Sequence, residues 1–416
     1  MISRRQTLRY AGGAVLLTGA AGLVRAIDQG LILPRDNPGL TAWDDWNHDR
    51  YLGPLALVSA GILAASPHNT QPWHFAIGRQ GVDIFEVLGR ALGAMDPFGR
   101  ERLLGLGAAI HNMALASTGI DRSAVVRLLP DPLNPIHVAR IELGPEGEHV
   151  EAHPLLAAIG RRHTDRGPYK GGPIPPDSLA AIADASRSDD VRIMLFDAAS
   201  ATGKRFAALT IEATEAIVAD TSMMAASHSW FRHSRRDQDR LKDGLSVATS
   251  GVSPWLAAAA AMLPEQSAAS EGGYWLSGTR DHALPTASAF GLILVRDLAD
   301  RRAALLAGGA WQRLQLTATS LGLASQPLNQ LPEMIDRQRQ LGQAAHFATA
   351  ADALLADPLW RPTFAFRLGH PTAPAMPSPR RPVSEVIGQP ARLAYDVERA
   401  RAETAAQDAA LAKRSQ

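Results

Sequence analysis

The sequence predicts an α+β chain built from two related halves, and three observations carry that expectation. Short apolar or alternating runs suited to strands are interleaved with longer stretches suited to helices. Two segments about two hundred residues apart share a vocabulary: Leu103-Leu104-Gly105-Leu106-Gly107-Ala108-Ala109 and Leu305-Leu306-Ala307-Gly308-Gly309-Ala310. Each leads an alanine-rich helix that closes at a glycine, as two copies of one unit would, although convergence of two Ala/Leu/Gly helices would look the same. Finally, 46% of the 416 residues are hydrophobic, enough for one large core or two ordinary ones. The many Ala, Gly and Pro residues then point to tight, helix-rich packing rather than disorder.

In chain order, a connector over 27–50 carries Trp43 and Trp46 as anchors to the body. The first half, 51–150, reads as a helix over 52–65, strands over 73–77 and 82–88, a helix over 101–118 stopped by Gly119, and a strand over 136–143. The second half, 151–390, opens with a helix from Pro175-Pro176-Asp177, proline being tolerated in a first turn. Strands follow over 191–196 and 290–295, with a long helix from 204 to about 220 between them. The stretch 228–281 reads as irregular, a candidate lid. A helix over 303–321, a loop over 322–330 and a strand over 363–368 complete the half. Residues 391–416 intersperse charge with alanine, as in a solvated tail.

Composition excludes several functions. Lys+Arg 42 against Asp+Glu 41 leaves no basic footprint for nucleic acid. Cysteine is absent, which removes thiol nucleophiles, iron–sulfur clusters, thiolate zinc sites and disulfides. Gly105-x-Gly107 lacks the third glycine and the preceding strand of a dinucleotide fingerprint. His228 and His233 are badly spaced for one helical face and have no carboxylate ligand nearby in sequence, so no metal is expected.

The N-terminus, 1–26, reads as an export signal. Ser3-Arg4-Arg5-Gln6-Thr7-Leu8-Arg9 precedes a short apolar run, followed by the small-residue site Val24-Arg25-Ala26. The paired arginines make it a twin-arginine signal. The expectation is a periplasmic protein handled by the twin-arginine export machinery, with the signal either cleaved or kept as a tether. That route carries proteins folded beforehand, often around a cofactor.

The most specific stretch is Ala65-Ser66-Pro67-His68-Asn69-Thr70-Gln71-Pro72-Trp73. Asn and Gln side chains pair donor with acceptor and suit the edge of a planar heterocycle. The second is Arg161-Arg162-His163-Thr164-Asp165-Arg166, whose guanidinium groups can clamp a phosphate with charge-assisted bonds. These segments resemble the Ser-x-x-Asn-x-Gln-Pro-Trp turn and the Arg-x-Ser-x-Arg motif of the FMN-dependent nitroreductase family, with Thr in place of Ser. The resemblance implies FMN as cofactor, contacted by Ser66, Asn69 and Gln71 and by Arg162, Thr164 and Arg166, with His163 close by. It further implies that Pro327, Leu328 and Asn329 line the reactive face at flavin N5. The terminal Pro379-Arg380-Arg381-Pro382 segment would complete the phosphate site through Arg381, with Arg380 beside it.

Motif order departs from the family's. Its ordinary members place the arginine motif first and dimerise around their flavins, whereas here the Asn/Gln turn comes first. The resemblance therefore implies a nitroreductase-like fold of two fused halves that mimic the family dimer within one chain, with mostly antiparallel central sheets flanked by helices and one complete flavin site. The function it implies is electron transfer through flavin N5 from a donor to a small planar acceptor, with no side chain needed as acid or base. Two other readings stand beside it: a protein that stores flavin beneath a lid, and a flavin oxidase. Asn329-Gln330 also replaces the acidic-glycine pair common in the family's reductases.

Overall fold

We describe a computed structural model of the chain. It describes residues 37–185 and 188–388, with a few positions between 23 and 29. Apart from those few positions, the expected export signal lies outside the described residues, as does the tail over 391–416. Among the described residues no helix is long and apolar enough to cross a membrane.

The first half contains α1 (Thr41–Asn47), α2 (Pro54–Ile62), strands β1 (Trp73–Gly78) and β2 (Gly81–Glu86), the long helix α3 (Arg100–Gly119), and strands β3 (Ala124–Leu128) and β4 (His137–Leu143). These strands form an antiparallel sheet of order β1-β2-β4-β3. In the second half come β5 (Tyr169–Lys170), α4 (Pro176–Ala183), β6 (Val191–Asp197), α5 (Ala201–Ala219), α6 (Thr221–His228), α7 (Arg235–Leu241), α8 (Pro254–Ala261) and α9 (Ala268–Gly278). The chain continues through β7 (Ala289–Val295), α10 (Arg301–Ser320), β8 (Ala324–Pro327), α11 (Gln330–Leu341), α12 (His346–Leu355) and β9 (Arg361–Pro371). Here β6, β7, β9 and β8 are joined antiparallel in that order, with β5 also on β9.

The two sheets therefore repeat one plan. Strand, strand, helix, strand, strand gives the order first-second-fourth-third in each half, and α3 and α10 are both 20 residues long. What differs is the link between the first two strands. Residues 79–80 turn β1 into β2, whereas 198–288 and their helices separate β6 from β7.

The long helices join the halves by exchanging side chains. Leu104 of α3 is buried in the core beneath the second sheet, while Leu305 of α10 is buried in the core of the first. Each helix begins on a carboxylate that accepts from its first-turn amides. Asp96 accepts from Glu101 N at 3.1 Å and Arg102 N at 3.0 Å, and Asp300 accepts from Arg302 N at 2.8 Å and Ala303 N at 3.2 Å.

Two sequence expectations require correction. The stretch 228–281 is not irregular but carries α7, α8 and α9. Ser234 and Ser267 cap α7 and α9, accepting from Asp237 N and Ser270 N, and Pro254 opens α8. These are helix-start signals, masked in the sequence by weak apolar periodicity. The expected loop over 322–330 instead contains β8, paired with β9 from Ala324↔Gly369 to Pro327↔Phe366, and then the first residue of α11.

Candidate functional site

The Asn/Gln turn follows the C-terminus of α2. Three of its residues, His68 (φ 45°), Asn69 (φ 55°) and Gln71 (φ 50°), lie in the left-handed region that non-glycine residues seldom occupy. Such strain persists only where surrounding bonds hold it. Ser66 Oγ accepts from Gln71 N at 3.0 Å. The Asn69 amide donates to Pro379 O at 2.9 Å and Gly244 O at 3.2 Å, while its oxygen accepts from Arg380 at 2.7 Å. Gln71 donates to Lys242 O at 2.8 Å and accepts from Arg381 N at 2.8 Å. The turn thus joins the 379–381 segment to a strap over 242–251.

Arginines collect around this turn. Arg162 donates to Leu63 O at 3.1 Å, and Arg380 donates to the next carbonyl, Ala64 O, at 3.1 Å. Both meet the carbonyl end of α2, where a helix favours cations. Arg166 donates to Thr249 O at 3.0 Å, on the strap, and Thr164 is half-buried between the two arginines of its motif. His163 meets Trp43 edge-on at 4.6 Å between ring centres, and the Arg380 guanidinium lies 5.1 Å from the Trp43 ring centre. Burial, with Arg162 and Arg380 nearby, pulls His163 down to about 3; burial and Arg166 pull His68 down to about 4. Both imidazoles are therefore neutral at pH 7, and His68 Nε2 lies 2.9 Å from Ser227 Oγ.

Among the described residues Arg162 and Arg380 have no carboxylate partner, whereas Arg381 Nε lies 3.9 Å from Glu385 Oε2. Burial alone pulls Arg162 down to about 10, and burial plus repulsion from Arg162 pulls Arg380 well below its ordinary value. Arg162 Nε, Arg380 Nε and Arg381 Nη1 are buried without hydrogen-bond partners. Buried charges are ordinarily paired, so these donors fit an anion such as a phosphate monoester.

The 327–329 segment sits differently. Leu328 is buried in the second-half core with Leu92 and Met95. Asn329 donates to Glu101 Oε1 at 2.8 Å and accepts from Ala365 N at 2.9 Å, so it ties α11 to α3 and β9. Pro327 is half-buried at the end of β8.

From the sequence, Arg381 ranks ahead of Arg380, and neither Arg367 nor the strap is named. Arg380 is the more deeply buried of its pair and is the one bonded to Asn69. Arg367 is buried against the Tyr169 ring at 3.8 Å and donates to Gln326 Oε1 at 2.6 Å and Gly167 O at 2.6 Å. An arginine inside the apolar run Phe364-Ala365-Phe366-Arg367-Leu368 was the available signal. The strap is held by Asp243, which pairs with Arg90 and, at 2.7 Å, with Arg232; both guanidinium groups lie over the Trp230 ring, at 5.4 and 5.3 Å from its centre.

The reason given for expecting no metal is also overturned. Although His228 and His233 have no carboxylate neighbour in sequence, the fold brings two to them. Glu271 of α9 lies 2.8 Å from His228 Nδ1, and Glu265 lies 3.5 Å from His233 Nε2.

No family model matches the chain. It is 29% identical over 338 residues, 81% of this chain and 91% of the relative, to a Mycobacterium tuberculosis H37Rv protein named "Putative NAD(P)H nitroreductase". A second M. tuberculosis protein of that description, acg, is 38% identical over 121 residues, 29% of this chain and 36% of the relative. Among solved structures, an FMN-dependent nitroreductase of Mycobacterium smegmatis in complex with NADPH matches 56% of this chain and 99% of its own, at 16% identity and TM-score 0.36. A Bacteroides fragilis nitroreductase with bound FMN matches 55% and 94%, at 16% identity and TM-score 0.33.

Proposed function

The chain belongs to the nitroreductase-like family, and from that premise we propose that it is an exported, FMN-dependent oxidoreductase passing electrons to a small planar acceptor. The observation that carries this reading is the set of buried arginine donors without partners beside a strained Asn/Gln turn. Arg162, Arg380 and Arg381 would hold the phosphate, with Arg166 and Thr164 flanking it. Asn69 and Gln71 would act by holding the turn against the 379–381 segment and the strap, through amides bonded to Pro379 O, Gly244 O and Lys242 O. When bound, FMN supplies two-electron chemistry between a reduced donor and an oxidised acceptor. The neutral imidazoles of His68 and His163 add no charge of their own, so the positive charge of the phosphate site is that of its guanidinium groups. Trp43, bonded to Ser378 O and edge-on to His163, packs beside Arg380 at this site.

A second reading, flavin storage, is favoured by one observation: the Asn69 and Gln71 amides both donate to strap carbonyls. A strap held this way would cover a bound ring rather than present it.

Export separates the chain from the cytoplasmic NAD(P)H pool, so the test compares donors. The purified protein is loaded with FMN and its flavin band followed anaerobically with NADH, NADPH and then dithionite. Bleaching by a pyridine nucleotide, reversed by a nitroaromatic or a quinone, is the expected result for a reductase. Bleaching by dithionite alone, with no reoxidation by acceptors, favours storage. Failure to take up FMN overturns both readings.

A further inference from the structure

Away from the arginines, four side chains converge on one point. His228 closes α6, His233 follows five residues later, Glu265 lies in the link before α9, and Glu271 lies in the first turn of α9. Single ligand atoms from His228, His233 and Glu265 all lie within 4.8 Å of one another. His233 Nε2 is 3.5 Å from Glu265 Oε1 and 3.4 Å from Glu271 Oε1, and His228 Nε2 is 3.9 Å from Glu265 Oε1.

These separations are long for hydrogen bonds, and His233 Nε2 and Glu271 Oε1 are buried without a hydrogen-bond partner. The 3.5 and 3.4 Å separations at His233 Nε2 are, however, those of atoms sharing a small cation, and the 3.9 Å from His228 Nε2 to Glu265 is somewhat longer. With bonds of about 2.0–2.2 Å, the ligand atoms of a tetrahedral zinc site lie roughly 3.3–3.5 Å apart. Glu271 meets a second requirement. Its Oε2 lies 2.8 Å from His228 Nδ1; with the proton on Nδ1, the Nε2 lone pair is turned toward the shared point. Metal-bound histidines are commonly oriented by a carboxylate in this way.

We propose that His228, His233 and Glu265 bind a divalent cation of the zinc class, with Glu271 orienting His228 and offering Oε1 as a fourth ligand. Two imidazole nitrogens and carboxylate oxygens select zinc or cobalt over magnesium or calcium, which take all-oxygen shells. The inference does not depend on flavin.

The position of the cation gives it a task. Between the two histidines, Trp230 O accepts from Leu245 N at 2.9 Å, and Arg232 N donates to Leu245 O at 2.7 Å. The neighbouring Gly244 N donates to Asn69 O at 3.2 Å. A cation joining 228–233 to α9 would therefore anchor the base of the strap that crosses the Asn/Gln turn.

The test is a titration of the full chain, stripped of metal by chelation, with Co²⁺. One equivalent should bind and produce the visible bands of a four-coordinate site, which Zn²⁺ then bleaches by displacement. Glu265→Gln changes an exposed side chain and leaves the fold intact, so loss of the bands in that variant and in His233→Ala assigns the ligands. Zn²⁺ should also slow proteolysis within 228–251 in the parent chain and not in His233→Ala. Absence of stoichiometric Co²⁺ binding overturns the proposal, as does binding of equal affinity in both variants.

Discussion

Gly107 and Gly308 occupy reciprocal positions where α3 crosses α10. A side chain on Gly107 would collide with the carbonyl of Leu305, and one on Gly308 would collide with the carbonyl of Leu104. Residue i of one helix meets residue j of the other, and the converse holds, which is the pattern of an isologous two-fold interface. Here it occurs within one chain. Together with the matched strand orders, it makes the α3–α10 seam the equivalent of a subunit interface.

Methyl groups at these glycines should be costly in equal measure. Gly107→Ala and Gly308→Ala each place Cβ against backbone, which cannot swing aside as a flexible side chain can. Overpacking of this kind costs roughly 1–3 kcal/mol. Gly309→Ala is the control, because its added Cβ meets only ordinary contacts at 3.8 and 3.9 Å. Urea unfolding midpoints should fall for the first two and hold for the third. An undiminished midpoint in Gly107→Ala would show that the helices separate at little cost.

Arg162→Gln should distinguish a phosphate site from a merely basic pocket. Glutamine removes the charge, and its amide ends short of the Nη2 position from which Arg162 donates to Leu63 O at 3.1 Å. A charge-assisted bond contributes about 1.5–3 kcal/mol, so FMN affinity should fall roughly ten- to a hundredfold. Riboflavin, which lacks the phosphate, should bind the variant and the parent alike. Equal losses for both ligands would place Arg162 elsewhere than at the phosphate.

What the sequence made legible is what is local. Ser66 to Trp73 could be read because amides, Pro and Trp are fixed in a short register, and the long helices because α3 and α10 are alanine-rich runs, each closed by a glycine. The strap could not be read. Lys242, Gly244 and Thr249 reach the site through backbone carbonyls, which leave no trace in residue identity. Glu265 and Glu271 meet His228 and His233 only because α9 folds back on α6. Nor could adjacency separate Arg380 from Arg381, whose roles are set by burial. Asn329 illustrates the converse: a polar residue in an apparent loop proves to bond a buried carboxylate.

The strap depends on Asp243, which is buried between Arg90 and Arg232. Asp243→Asn keeps the shape but leaves two guanidinium groups facing each other without a counterion. Loss of such a buried partner costs several kcal/mol in general, and here the loss falls on a segment that can open locally. Cleavage within 228–251 by a limiting protease should accelerate roughly tenfold or more at an almost constant melting temperature. Unchanged cleavage would mean that the amides of Asn69 and Gln71 suffice to hold the strap.

The last prediction concerns Glu101, at the start of α3. Burial pushes its carboxyl up to about 8 from an ordinary 4.5, against the pull of Arg100, with Asp96 adding to the rise. Glu333 is driven well upward by burial and by Glu101, while Arg100 is paired with Asp336 at 2.6 Å. The folded chain therefore keeps a proton that the unfolded chain releases. For a raised carboxyl this stability is fully present below pH 4.5 and is lost as pH rises toward 8. The neutral histidines act in the opposite sense. His68, His111 and His163, pulled down to about 4, 3 and 3, contribute stability above pH 6.5 that is lost as pH falls through the acid range. Between pH 6.5 and 8 the carboxyl is thus the group expected to set the slope. Glu101→Gln imitates the protonated form and can still accept from the Asn329 amide. Thermal midpoints should decline from pH 6.5 to 8 in the parent and flatten in this variant. A parallel decline in both would assign the slope to Glu333 instead.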